Sequence, residues 1–79
     1  MKYVYILQSL ASPEHDYAGI SGDVHARLQK HNAGEVPYTS RHVPWALKTY
    51  ISFTDEKKAF EFEAYMKTAS GRAFAKKRL

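Results

Sequence analysis

The segment KYVYILQ, residues 2–8, alternates along its length: Tyr3, Tyr5 and Leu7 point one way, Val4 and Ile6 the other. Aromatic and β-branched side chains at a period of two are what a strand needs, because successive side chains leave opposite faces of an extended backbone. SLASPE follows as a turn around Pro13. HDYAGIS, residues 15–21, then reads as a second short strand. The start of the chain therefore predicts a β-hairpin, and Gly19 inside its second strand marks a bulge or a close backbone approach.

Working outward, Ser21-Gly22-Asp23 is a helix start, and DVHARLQKHNAG is a helix ending near Gly34. EVPYTSRHVP holds two prolines and reads as a loop. WALKTYISF, residues 45–53, alternates again and is a third strand. Its period places Trp45, Leu47, Thr49, Ile51 and Phe53 on one face and Lys48, Tyr50 and Ser52 on the other. Thr54 is placed to cap a second helix whose first turn holds Asp55 and Glu56, both favoured at its positive end. That helix is expected to reach about Ser70 and stop at Gly71, with RAFAKKRL adding one or two helical turns. The order is β-β-α-β-α with a short C-terminal helical turn, an α+β pattern.

Seventy-nine residues suffice for one domain, 1–79, around one small core. With 44% hydrophobic and 25% charged residues the chain is of globular rather than disordered composition. Cysteine is absent, which excludes disulfides and thiolate zinc sites. The longest apolar run, YVYIL, is far short of the ~20 residues that span a bilayer, so no membrane partner is expected. MKYVYIL lacks the apolar stretch and small-residue cleavage site of a signal peptide, and the expected location is cytoplasmic. The net charge of +4 suits either a polyanionic partner or simple solubility. Lys67, Arg72, Lys76, Lys77 and Arg78 crowd the C-terminal segment.

Helical geometry singles out polar residues on inward faces. On the first helix Val24 and Leu28 form the apolar stripe; Arg27 lies ~60° from Val24 and His31 only ~20°. Both are consistent with snorkelling at the rim of the core or with a functional pair. On the second helix Ala59, Phe62, Met66 and Ala69 make the stripe. Glu63 falls within the apolar arc, whereas Glu61 lies on the polar face. A half-buried carboxylate needs a partner; an ion pair with Lys67 and a bound cation are the alternatives. Six tyrosines is a high count, and Tyr5 and Tyr17 lie in the two strands of the hairpin. Strand tyrosines usually pack, although a phenol also transfers protons when its pKa is lowered. The four histidines lack zinc-site spacing, and no phosphate-cradling glycine loop occurs.

These residues form an ordered set: VYI at 4–6, YAG at 17–19, Arg27 within ARLQKHNAG, the loop PYTSRHVPW, and Glu63 within AFEFEAYMK. The set resembles the GIY-YIG endonuclease superfamily over nearly the whole chain. It is most similar to small standalone members, akin to the nuclease domain of nucleotide-excision repair. The resemblance implies that Tyr5 is the general base for water and that Tyr17 orders the attacking water, with Gly19 as the glycine of the second motif. It further implies that Arg27 binds the scissile phosphate, that His31 assists, and that Glu63 holds a divalent metal, Mg²⁺ or Mn²⁺. Val4 stands where the first motif has glycine, and Asn32 is the only asparagine, where many members carry a late one.

The expectation is a three-stranded antiparallel sheet flanked by helices, acting as a metal-dependent endonuclease on duplex or branched DNA. Thr39, Arg41, Lys67, Arg72, Lys76 and Lys77 are expected to contact the nucleic acid. With no room for a separate specificity domain, substrate choice rests on DNA structure, backbone charge or a targeting partner protein. The alternative is a non-catalytic nucleic-acid-binding module that keeps the fold.

Overall fold

The computed structural model describes residues Met1–Leu79. Apolar side chains on both faces of KYVYILQ dictate that the first strand lies inside, and β1 (Lys2–Ser9) is the centre of the sheet. It pairs antiparallel with β2 (Asp16–Ser21) on one edge and with β3 (Trp45–Phe53) on the other, giving the order β2-β1-β3. Three helices complete the order β-β-α-β-α-α: α1 (Val24–Asn32), α2 (Glu56–Met66) and α3 (Ala69–Arg78). A single 3₁₀ turn, Ser40–His42, interrupts the loop before β3.

The two faces of β1 carry separate cores. Val4 and Ile6 pack with Ala59 and Met66 of α2. Tyr5 and Leu7 pack with Val24 of α1 and with Trp45. The helices thus sandwich the sheet, α1 on the odd-numbered face of β1 and α2 on the even-numbered one.

The strand β3 departs from strict alternation. Ile6 pairs with Thr49 but Leu7 pairs with Leu47, so Lys48 is the extra residue of a β-bulge. The bulge changes which side chains share a face. Trp45 and Leu47 join Tyr5 and Leu7, whereas Phe53 joins Val4 and Ile6. The expectation that Trp45 through Phe53 present one apolar face is therefore corrected: β3 feeds both cores in turn.

The helical C-terminal region also differs from expectation. Asp55, not Thr54, caps α2, its Oδ1 accepting from Lys57 N at 3.0 Å and Lys58 N at 3.3 Å. The helix ends at Met66 because Thr68 starts a new one, its Oγ1 accepting from Gly71 N at 3.0 Å. Gly71 is no terminator. It is buried within α3, and a Cβ there would meet the Tyr65 carbonyl oxygen at 1.8 Å. Its missing side chain lets α3 turn back directly onto the end of α2. The first helix ends at Asn32, with Gly34 beyond it at φ 77°. Asn32 ties α1 to β3: its amide donates to Trp45 O at 3.0 Å, and Trp45 N donates to its Oδ1 at 2.6 Å.

Candidate active site

Asp23 accepts from Ala26 N at 3.0 Å and fixes the start of α1. Arg27 and His31, one turn apart, then face the sheet. His31 is completely buried. Its Nε2 lies 2.9 Å from the Tyr5 hydroxyl and its Nδ1 lies 2.8 Å from Thr39 Oγ1. The Thr39 hydroxyl donates its one proton to Val36 O at 3.2 Å, so its oxygen accepts from Nδ1–H. That pattern assigns the tautomer: Nε2 carries the lone pair and Tyr5 donates to it. Thr39 is itself fully buried and its carbonyl accepts from Trp45 Nε1 at 2.9 Å. Its expected place on a nucleic-acid surface is therefore corrected, because it lies beneath His31 and orients the ring.

Gly19 explains how Tyr5 reaches this position. It pairs directly with Tyr5 across the hairpin. A Cβ on Gly19 would sit 2.3 Å from the Tyr5 hydroxyl oxygen and 2.5 Å from Cζ. The phenol lies across the bare backbone of β2, towards the free edge of the sheet. Tyr17 occupies the same face, its ring centroid 5.1 Å from that of His31.

From the opposite face of the sheet, α2 brings Glu63 and Lys67 around the β2 edge. The Lys67 ammonium is 3.7 Å from Glu63 Oε2, lies 4.1 Å from the Tyr17 ring centroid, and donates to the Ala18 carbonyl. The ion-pair alternative for Glu63 is thus realised within reach of the tyrosines. Glu61 points away, more than half exposed, with Lys58 3.8 Å distant. The two carboxylates divide as their helical positions predict.

The electrostatics follow from burial. The Tyr5 phenol is held above its ordinary value of 10.0, first by desolvation, against a downward pull from Arg27. Tyr17 is raised for the same first reason, again opposed by Arg27. His31 is held below 6.5, by burial first and then by the cations Arg27 and Lys67, so its imidazole is neutral at pH 7. Arg27 contributes one further observation: its Nε is buried and makes no hydrogen bond. The guanidinium acts on both phenols, and its planar, permanently charged fork suits a phosphate oxygen. The model of the GIY-YIG catalytic domain matches residues 1–78.

The chain belongs to the GIY-YIG family. Among curated proteins no match to it was found. Membership in a family of nucleases that generally use a divalent metal fits the donor set. No group of three His, Asp or Glu side chains gathers anywhere in the molecule to hold an ion. Glu63 is the carboxylate beside the tyrosines, so a bound ion would take its other ligands from water and substrate. A structural zinc site, by contrast, gathers four protein ligands.

The expected nucleic-acid contacts fall into distinct places. Lys67, Arg72 and Lys76 line a groove of about 1000 Å³ that also contains Tyr17 and Tyr38. Arg41 lines a second cleft across Tyr38, together with His15 and His42. Lys77 is exposed but belongs to neither. Sequence reasoning missed Thr39 as the partner of His31 and Tyr38 as a neighbour of Tyr17, at 5.8 Å between ring centroids. Both lie in the proline-containing loop, where no periodicity marks a side chain's direction. No helix is long and apolar enough to cross a membrane.

Proposed function

We propose that the chain is a divalent-metal-dependent endonuclease that hydrolyses DNA phosphodiester bonds at the Tyr5–Tyr17–Arg27–Glu63 site. The observation that carries this reading is the convergence of Arg27 on Tyr5 and Tyr17, with Tyr5 hydrogen-bonded to a neutral histidine. Tyr5 takes a proton from the attacking water as it passes its own to His31 Nε2, 2.9 Å away. The relay answers the difficulty that burial raises the phenol's pKa: Tyr5 never has to exist as a free phenolate. Thr39 holds the His31 tautomer that can accept. The water oxygen bonds to phosphorus, the bond to the leaving oxygen breaks, and that oxygen takes a proton from solvent. Arg27 stabilises the charge that develops on the phosphoryl oxygens. Tyr17, half-buried at the groove, orients the water. Glu63 would hold the metal, which when bound neutralises charge on the scissile phosphate and the leaving oxygen.

The second reading, a nucleic-acid-binding module without turnover, draws on the Lys67–Glu63 ion pair, since a permanently occupied carboxylate would not take a metal. Initial cleavage rates on duplex and branched DNA, in Mg²⁺ and then EDTA, separate the two. Glu63→Gln is expected to lose at least two to three orders of magnitude in rate, about 3–4 kcal/mol of transition-state stabilisation. Glu61→Gln is expected to be nearly silent. Equal rates for the two variants, with both folded, would overturn the metal assignment and leave the binding module.

A further inference from the structure

A second cleft adjoins the tyrosines and takes no part in the mechanism above. Tyr38 lines it; the residue is 78% exposed and its ring is tilted at 42° to that of Tyr17. His15 and His42 line the same cleft, stacked with centroids 4.0 Å apart at 20°, and His42 meets Trp45 edge-on. Asp16 and Arg41 supply one carboxylate and one guanidinium at the rim, and the space between is about 520 Å³. Tyr38, His15 and Asp16 also line the groove that holds Tyr17, Lys67 and Arg72, so the two spaces are continuous.

We propose that this cleft binds an unpaired nucleobase next to the scissile phosphate, so that the favoured substrate carries single-stranded nucleotides at the cut. The inference rests on the reading of the Tyr17 site as a phosphodiester site. Three features point to this occupant. The volume lies within the roughly 300–1000 Å³ of small-ligand sites. The lining is aromatic, and an aromatic ring stacks on the face of a base, which a paired base keeps hidden within the stack. One polar group matches a nucleotide: the Arg41 guanidinium suits a backbone phosphate, whereas the Asp16 carboxylate is paired with Lys48 at 3.5 Å. Packing does not account for Tyr38, because a side chain left 78% exposed buries little. An exposed aromatic beside a cationic groove is the usual platform for single strands.

The test is binding in EDTA, where no cleavage occurs. Fluorescent duplexes of equal phosphate number are compared, one fully paired and one ending in a short unpaired thymidine flap. The wild-type chain is expected to bind the flap about tenfold more tightly, from one or two stacked bases. Replacing the flap thymines by abasic residues removes the preference, as does Tyr38→Ala. Tyr38→Phe keeps the ring and keeps the preference. Equal binding of flap and duplex by the wild type, or a preference that survives Tyr38→Ala or abasic replacement, overturns the proposal. The outcome is separable from the nuclease reading. A chain that prefers the flap but never cuts loses only the catalytic role, and one that cuts without preference loses only this subsite.

Discussion

Replacing Gly19 by alanine adds one methyl group at the point where Tyr5 crosses β2. The new carbon would lie 2.3 Å from the phenolic oxygen, 2.5 Å from Cζ and 3.0 Å from Cε2. These are not the far atoms of a flexible chain: Tyr5 is 1% exposed and held among Leu7, Val24 and Trp45. Two costs result. Overpacking a well-filled core costs about 1–3 kcal/mol. If the ring swings away instead, His31 Nε2 loses its donor, and an unsatisfied buried acceptor costs about 1–3 kcal/mol. A net loss of ~3 kcal/mol is expected, which for a chain of this size lowers Tm by about 12–24 °C. The assay is urea unfolding of four proteins: wild type, Gly19→Ala, Tyr5→Leu and the double variant. Leucine has no atom where Cζ and the hydroxyl lie, so Gly19→Ala should cost under about 1 kcal/mol in that background, a coupling of roughly 2 kcal/mol. Costs that add to within about 0.5 kcal/mol would show that Gly19 serves something other than the path of Tyr5.

In the relay, the cleavage rate should be level from about pH 7 to pH 9 and fall on the acid side as His31 protonates below its ordinary value. His31→Ala leaves Tyr5 to ionise alone, and its rate should climb about tenfold per pH unit towards a phenol held above 10.0; the same climb in the wild type would remove His31 from proton transfer. Stability carries the same signature. Because His31 is lowered in the folded state, the unfolded chain binds more protons just below pH 6.5, so stability present above that pH falls as the solution is acidified. Urea midpoints at pH 7.5 and 5.5 should differ less in His31→Gln than in the wild type; an unchanged difference would place the acid sensitivity elsewhere. Finally, if Lys67, Arg72 and Lys76 track the DNA backbone, neutralising Arg72 and Lys76 should reduce the slope of log K against log salt by roughly two units, and an unaltered slope would take α3 out of the interface.

Much of the fold is legible because it depends on local rules. Alternation in KYVYILQ and the capping residue Asp23 place β1 and α1 within a residue or two. The helical positions of Arg27, His31 and Glu63 put each side chain on the expected side. What escapes the sequence depends on tertiary contacts. Nothing in WALKTYISF announces that Lys48 is bulged; that is settled by the pairing of β3 with both halves of β1. Gly71 reads as a stop because glycine commonly ends helices, but here its role is to admit the Tyr65 carbonyl. Thr39 reads as an exposed loop hydroxyl because its partner, His31, lies in another element. Glu63 and the tyrosines approach from opposite faces and meet only because β2 is an edge strand, a relation no periodicity encodes.

The position of β1 at the centre of the sheet has a kinetic consequence. The hairpin with β2 joins neighbouring stretches of chain and forms on the scale of microseconds. The other pairing must bring Phe53 against Lys2, across the whole of α1 and the proline loop. Each such closure costs entropy before any contact rewards it. During synthesis the hairpin therefore waits with one edge of β1 and its Val4–Ile6 face uncovered until β3 and then α2 emerge. The slow step of folding should be the arrival of the second half of the chain. Substitutions in β3 should slow folding, whereas those confined to α3, the last element to dock, should mainly speed unfolding.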